Sequence, residues 1–130
     1  MEIPQDLLGR EFKRGQTIVY ATTQSSSVTM NYGVITEIIA KPHKYRPDET
    51  NISIKVAALR GSSWQRSYSY ISVATISVYA RAVVVDALPN EEDLNESSTK
   101  LARQFANIVE AVNEDPTWEV TNKSIEKFLA

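Results

Sequence analysis

Hydrophobic and polar residues alternate through most of the first 86 positions and then change period. The stretch Thr17-Ile18-Val19-Tyr20-Ala21-Thr22 is β-branched and aromatic, which suits a pleated surface and predicts a strand over Gln16 to Thr23. Further strands are expected from Met30 to Lys41, from Ile52 to Leu59, from about Trp64 to Val73 and from Ala82 to Asp86. In the second strand Val34, Thr36 and Ile38 should face one side and Ile35, Glu37 and Ile39 the other. In the third, Ile52, Ile54, Val56 and Ala58 share a face opposite Ser53 and Lys55. The stretch Ala74 to Arg81 fits either a continued strand or a 3₁₀ turn.

Turn chemistry separates these runs. Gln24 to Ser27 and Pro42 to Asn51 read as loops, and Arg60-Gly61-Ser62-Ser63 as a hairpin-type turn. Gly33, inside a strand, is expected to mark a bulge or bend that lets a small barrel close. Ahead of the first strand, Pro4 to Gly9 is expected to form one helical turn with Leu7 and Leu8 facing inward.

After Pro89 the period becomes helical. Asn90 is the expected N-cap, with Glu91, Glu92 and Asp93 in the favourable first turn. Leu94, Leu101, Phe105, Ile108, Val109 and Val112 then fall on one helical face, and the helix should stop before Asp115-Pro116. A second short helix is expected from about Thr121 to Leu129, with Trp118 anchoring the connection. The expected organisation is a β-barrel over residues 1–87 and an acidic two-helix tail over residues 88–130, packed on the barrel.

Charge follows the same division. Residues 1–86 carry ten Lys/Arg and seven Asp/Glu, whereas residues 87–130 carry four and nine. The front is therefore mildly basic and the back acidic, a contrast well short of a strongly basic nucleic-acid-binding domain. The chain has no cysteine, which excludes disulfides, Fe–S clusters and a thiol nucleophile. Met1-Glu2-Ile3-Pro4-Gln5-Asp6 has neither a basic start nor an apolar run, so no secretory signal is expected. No apolar run reaches the ~20 residues of a membrane span, and a cytoplasmic location is expected.

Catalytic motifs are missing. There is no G-x-S-x-G, no G-x-G-x-x-G and no phosphate-cradling glycine loop. His43 is the single histidine and stands in a charged loop, where it reads as solvated. Glu91-Glu92-Asp93 reads as helix-start charge rather than a metal site. The expectation is a protein that is not an enzyme, with no cofactor and no metal.

Two aromatic-basic groups stand out instead. One is the loop Lys41, Pro42, His43, Lys44, Tyr45 and Arg46; the other is Arg60, Trp64, Arg66, Tyr68 and Tyr70. In a regular strand Trp64, Arg66, Tyr68 and Tyr70 share a face. Rings interleaved with cations are what a single-stranded nucleic-acid platform requires, because bases stack on rings while Arg and Lys meet phosphates. They equally suit a protein partner, and alternate aromatics on a barrel strand also serve as core.

Asp6-Leu-Leu-Gly-Arg, Arg14-Gly-Gln-Thr-Ile-Val-Tyr-Ala-Thr, Gly33-Val-Ile-Thr-Glu-Ile and Ser63-Trp-Gln-Arg together resemble small SH3-like barrel proteins of tailed phages infecting actinobacteria. In those proteins an acidic residue follows the first strand's glycine; here Gln16 replaces it. The resemblance spans residues 6–86. It implies a mainly β fold, a small five-stranded SH3-like barrel with a C-terminal α-helical appendage, and transfers no functional residue. With it, the expected function is a non-enzymatic phage accessory module binding a host or phage protein. The alternatives are a nucleic-acid-binding barrel and a virion or assembly component. A second copy could join through the Leu94 to Val112 helix face.

Overall fold

The computed structural model describes residues 5–24, 27–61, 68–77, 82–85, 87–89 and 95–129. Five strands form, β1 (Thr17–Gln24), β2 (Ser27–Pro42), β3 (Thr50–Gly61), β4 (Tyr68–Ser77) and β5 (Ala82–Val85), followed by one helix, α1 (Glu96–Glu114). The strands make one antiparallel sheet in the order β4-β3-β2-β1-β5. The chain is mainly β with a C-terminal helix, as its hydrophobic periods require. Among the described residues no ladder joins β4 to β5, so the sheet is open where a barrel would close.

The β-branched, two-sided composition of the strands buries both faces of the sheet. On the inner face Ile18, Tyr20, Ile35, Ile54, Val56 and Ala58 pack with Ala82 and Val84 around Phe12. On the outer face Val34, Ala57, Leu59 and Ile71 meet Phe105, Ile108 and Val112 of α1. These helix residues are fully or almost fully buried, and each such side chain contributes about 1.5–3 kcal/mol. The helix face read from the sequence is therefore buried against the chain's own sheet. Leu94 lies outside the described residues.

The bulge falls at Thr36, not at Gly33. Register shifts between Ile35 and Glu37, so Thr36 is the extra residue. It sends Val34 to the helix side and Ile38 to the inner core, which the sequence placed together. Gly33 pairs regularly, between Ile18 and Ala58. A Cβ there would stand 3.2 Å from Val56 Cβ and 3.3 Å from Tyr20 Cε1, so the glycine makes room for the Tyr20 ring.

Other expectations are corrected at the element ends. Leu7 and Leu8 are exposed, because Asp6 rather than an apolar contact fixes their turn. Asp6 Oδ1 accepts from the Leu8 and Arg10 N–H groups at 2.9 and 2.8 Å, and Oδ2 from the Val84 N–H at 2.8 Å. Burial raises the Asp6 carboxyl, but the Val84, Arg10 and Leu8 N–H bonds and the Arg10 charge outweigh it. The group sits below the ordinary carboxylate range.

The described part of β4 runs on to Ser77, which resolves the ambiguous stretch from Ala74 as strand up to that residue. The helix begins at Glu96 with Asn95, not Asn90, as cap; the Asn95 side chain accepts from the Ser98 N–H at 2.9 Å. Residues 90–94 lie outside the described residues. The second helix shrinks to a 3₁₀ turn, Glu126–Phe128. Thr121 and Ser124 hydroxyls bond each other's backbone N–H at 3.0 and 2.8 Å, a capping arrangement that starts a single turn, closed by the Ile125 N–H to Thr121 O at 3.1 Å. Ile125 is nonetheless buried, and Phe128 and Leu129 pack beside it. Trp118 anchors the connection against Phe128, with ring centroids 5.7 Å apart.

Both outer strands are fastened. On β5, the Leu7 N–H donates to Ala82 O at 3.0 Å beside the Asp6–Val84 bond. On β4, the Tyr68 N–H donates to Ser98 Oγ at 2.8 Å and the Val73 N–H to Asn122 Oδ1 at 2.7 Å. Covered edges resist pairing with other chains. Arg14 ties the tail to the sheet through the Thr36, Asp115 and Trp118 carbonyls, the last at 3.0 Å.

Candidate binding interface

The two aromatic-basic groups lie at opposite ends of the β2–β3 hairpin. Lys41 pairs with Asn51 at one end, and Arg60 closes β3 at the other. Roughly 30 Å of strand separates them at ~3.3 Å per residue. They do not form one surface.

At the loop end the polar groups satisfy one another. His43 Nδ1 accepts from the Tyr45 and Arg46 N–H groups, both at 3.2 Å. The His43 N–H donates to Glu49 O at 2.9 Å and the Glu49 N–H to Arg46 O at 2.8 Å. His43 closes a turn here. Lys44 Nζ stands 5.5 Å from the Tyr45 ring centroid, and Arg46 lies 3.6 Å from Glu49. Tyr45 is 80% exposed, and Lys41, Lys44 and Arg46 are exposed with it. Pairs in such a setting contribute about 0–1 kcal/mol.

The other end is built differently. Register slips between Arg60 and Gly61, which face Tyr70 and Tyr68, so Ser69 is an extra residue. The slip turns Tyr68 onto the helix side, half-buried, while Tyr70 stays on the inner side and is 55% exposed. Tyr68 and Tyr70 therefore do not share a face, contrary to the regular-strand expectation. Trp64 and Arg66 lie outside the described residues.

Tyr70 ends a row that crosses four strands. Tyr20 on β1 faces Asn31 on β2, and Arg60 on β3 faces Tyr70 on β4. The Asn31 carboxamide bridges the row. Its Oδ1 accepts from the Gly61 N–H and its Nδ2 donates to Thr22 Oγ1, both at 3.0 Å. Asn31 is thus buried and satisfied. Two of its neighbours are not. The Tyr20 side chain is 1% exposed and its hydroxyl has no hydrogen-bond partner. Arg60 is half-buried, its Nε is enclosed without an acceptor, and no described carboxylate pairs with it. Burial pushes the Tyr20 hydroxyl pKa up; the nearby Arg60 charge pulls it down and Tyr70 adds to the rise.

An enclosed hydroxyl or N–H without a partner costs about 1–3 kcal/mol. A partner that brings an acceptor would explain why they stand together. Tyr20 and Asn31 were not among the residues singled out from the sequence. The available signal was a tyrosine in a β-branched strand core, whose hydroxyl needs a polar neighbour.

Elsewhere, an open concavity of about 1070 Å³ runs along α1 past Lys100, Arg103, Gln104, Asn107 and Phe128, and none of the sequence candidates among the described residues lines it. Among the described residues, no group of three or more His, Cys, Asp or Glu is placed to hold a metal ion. No described helix is long and apolar enough to cross a membrane. Searches against protein-family models, curated proteins and solved structures find no match to this chain.

Proposed function

We propose that the chain is a non-enzymatic binding module that takes a protein partner at the Arg60–Tyr70 end of its sheet. The observation that supports this reading is the pairing of an exposed ring, Tyr70, with a half-buried cation that has no counter-ion among the described residues. An aromatic beside an arginine is the composition of interface hot spots, where desolvated contacts carry most of the affinity. The resemblance to phage SH3-like proteins makes the partner a host or phage protein, met in the cytoplasm of an infected cell or in the assembling virion.

The test is affinity capture on the immobilised protein from host and phage-infected lysates. A specific protein should be retained by the wild type and by Tyr45→Ala, and lost with Tyr70→Ala. Retention indifferent to Tyr70→Ala contradicts the reading. The nucleic-acid alternative rests on exposed Tyr45 with Lys44 over its ring. It requires retention of single-stranded DNA or RNA that falls steeply with salt and is lost with Tyr45→Ala.

A further inference from the structure

Arg60 and Tyr20 together present unsatisfied donors and no unsatisfied dedicated acceptor. The guanidinium can only donate, and its Nε–H is enclosed without a receiver. The Tyr20 hydroxyl is a second unpartnered group in the same row, and it too can donate. The Asn31 Oδ1 accepts from the Gly61 N–H rather than from either, and its Nδ2 donates to Thr22. Tyr70, directly opposite Arg60, gives the row an exposed ring as its wall. The ligand chemistry that completes this set is an oxygen acceptor carrying negative charge.

The surroundings choose among such acceptors. Arg60 is the only charged side chain among the described residues of the row and of the β1–β2 hairpin tip beside it. The described cations Lys41, Lys44 and Arg46 stand at the far end of β2–β3. A nucleic-acid backbone needs several cations in line to meet successive phosphates. One guanidinium next to a ring instead matches one carboxylate, which Arg grips in a fork.

We propose that the Arg60 guanidinium anchors a single Asp or Glu carboxylate of an acidic protein segment, with Tyr70 as the wall of the site and the Tyr20 hydroxyl as its floor. This rests on the binding-module reading above and gives that same site its ligand chemistry. Binding the carboxylate supplies the missing counter-ion and draws the guanidinium into a fixed orientation.

The probe is a short peptide with one central Glu flanked by leucines and capped at both ends, against its Gln counterpart and an oligothymidylate. Each is titrated into ¹⁵N-labelled protein while the Arg60 Nε–H and Asn31 amide signals are followed. The Glu peptide should move the Arg60 Nε–H signal saturably, with affinity about tenfold or more above that of the Gln peptide. Arg60→Gln should abolish the response of Asn31 while leaving the remaining spectrum in place. Tyr20→Phe, which keeps the ring, should weaken the Glu peptide more than the Gln peptide.

Equal affinity for Glu and Gln peptides, or no response to either at millimolar concentration, overturns the proposal. So does an oligothymidylate response at Arg60 that exceeds the peptide's. Should the peptides fail while Tyr70→Ala still abolishes capture of a lysate protein, the carboxylate falls and the binding module stands. Should capture also be indifferent to Tyr70→Ala, both fall.

Discussion

The two ends of the β2–β3 hairpin carry similar residues and make opposite use of them. At the loop end, Lys44 rests over Tyr45, Arg46 meets Glu49, and His43 accepts two backbone N–H groups. All of this happens in water, where each contact is worth little. At the other end the Arg60 Nε and the Tyr20 hydroxyl are enclosed without a partner among the described residues, beside an exposed Tyr70. Aromatic-basic composition alone does not mark a binding site. What distinguishes the two ends is whether the fold has already answered the polar groups it encloses.

The sharpest stability contrast should come from Asp6. Its bond from the Val84 N–H fastens the strand that lies beside Tyr20, which pairs with Ala82, while its bonds from Leu8 and Arg10 hold its own turn. Asp6→Ala is expected to cost about 2–3 kcal/mol in urea unfolding. Hydrogen exchange should quicken across β1 and β5 and stay unchanged in the 43–49 loop. The same carboxyl sets an acid dependence. Its pKa is lowered on folding, so its contribution is complete above the unfolded value near ~3.9 and is lost as pH falls through the folded value. Wild-type stability should therefore drop on acidification below about pH 4, and Asp6→Asn should flatten that limb. An unchanged limb would remove Asp6 from the account.

Gly33→Ala should rank next, at about 1–3 kcal/mol, because the added methyl meets Val56 Cβ and the Tyr20 ring. Thermal unfolding measures it. Third, Arg60→Met should keep the packed stem while removing an unpaired charge. Its stability should match or exceed wild type, whereas partner capture should fall about tenfold or more. A destabilised Arg60→Met with intact capture would make Arg60 a structural residue. The smallest effect belongs to the loop end. Tyr45→Ala should change stability by less than about 0.5 kcal/mol and leave capture intact.

Much of the fold was legible because period reports burial. Alternation located the strands, and the 3.6-residue spacing of Leu101, Phe105, Ile108 and Val112 located the helix and its buried face. The bulges at Thr36 and Ser69 were not legible, since one extra residue in a ladder leaves no mark in composition. They decided which side chains met, moving Ile38 to the inner core and separating Tyr68 from Tyr70. Leu7 and Leu8 form an apolar pair of the kind that usually faces inward, yet Asp6 hydrogen bonds govern that turn. Arg60 and Tyr70 were visible as candidates from residue type alone. That Tyr20 and Asn31 complete their row depends on strand register, which only the fold supplies.

The most direct measurement places a photo-crosslinking residue at position 70 in one variant and at position 45 in another, with both exposed to infected-cell lysate. The account predicts a specific protein adduct at position 70 and none at position 45. An adduct at position 45 alone, equal yields at both positions, or none at either would contradict it.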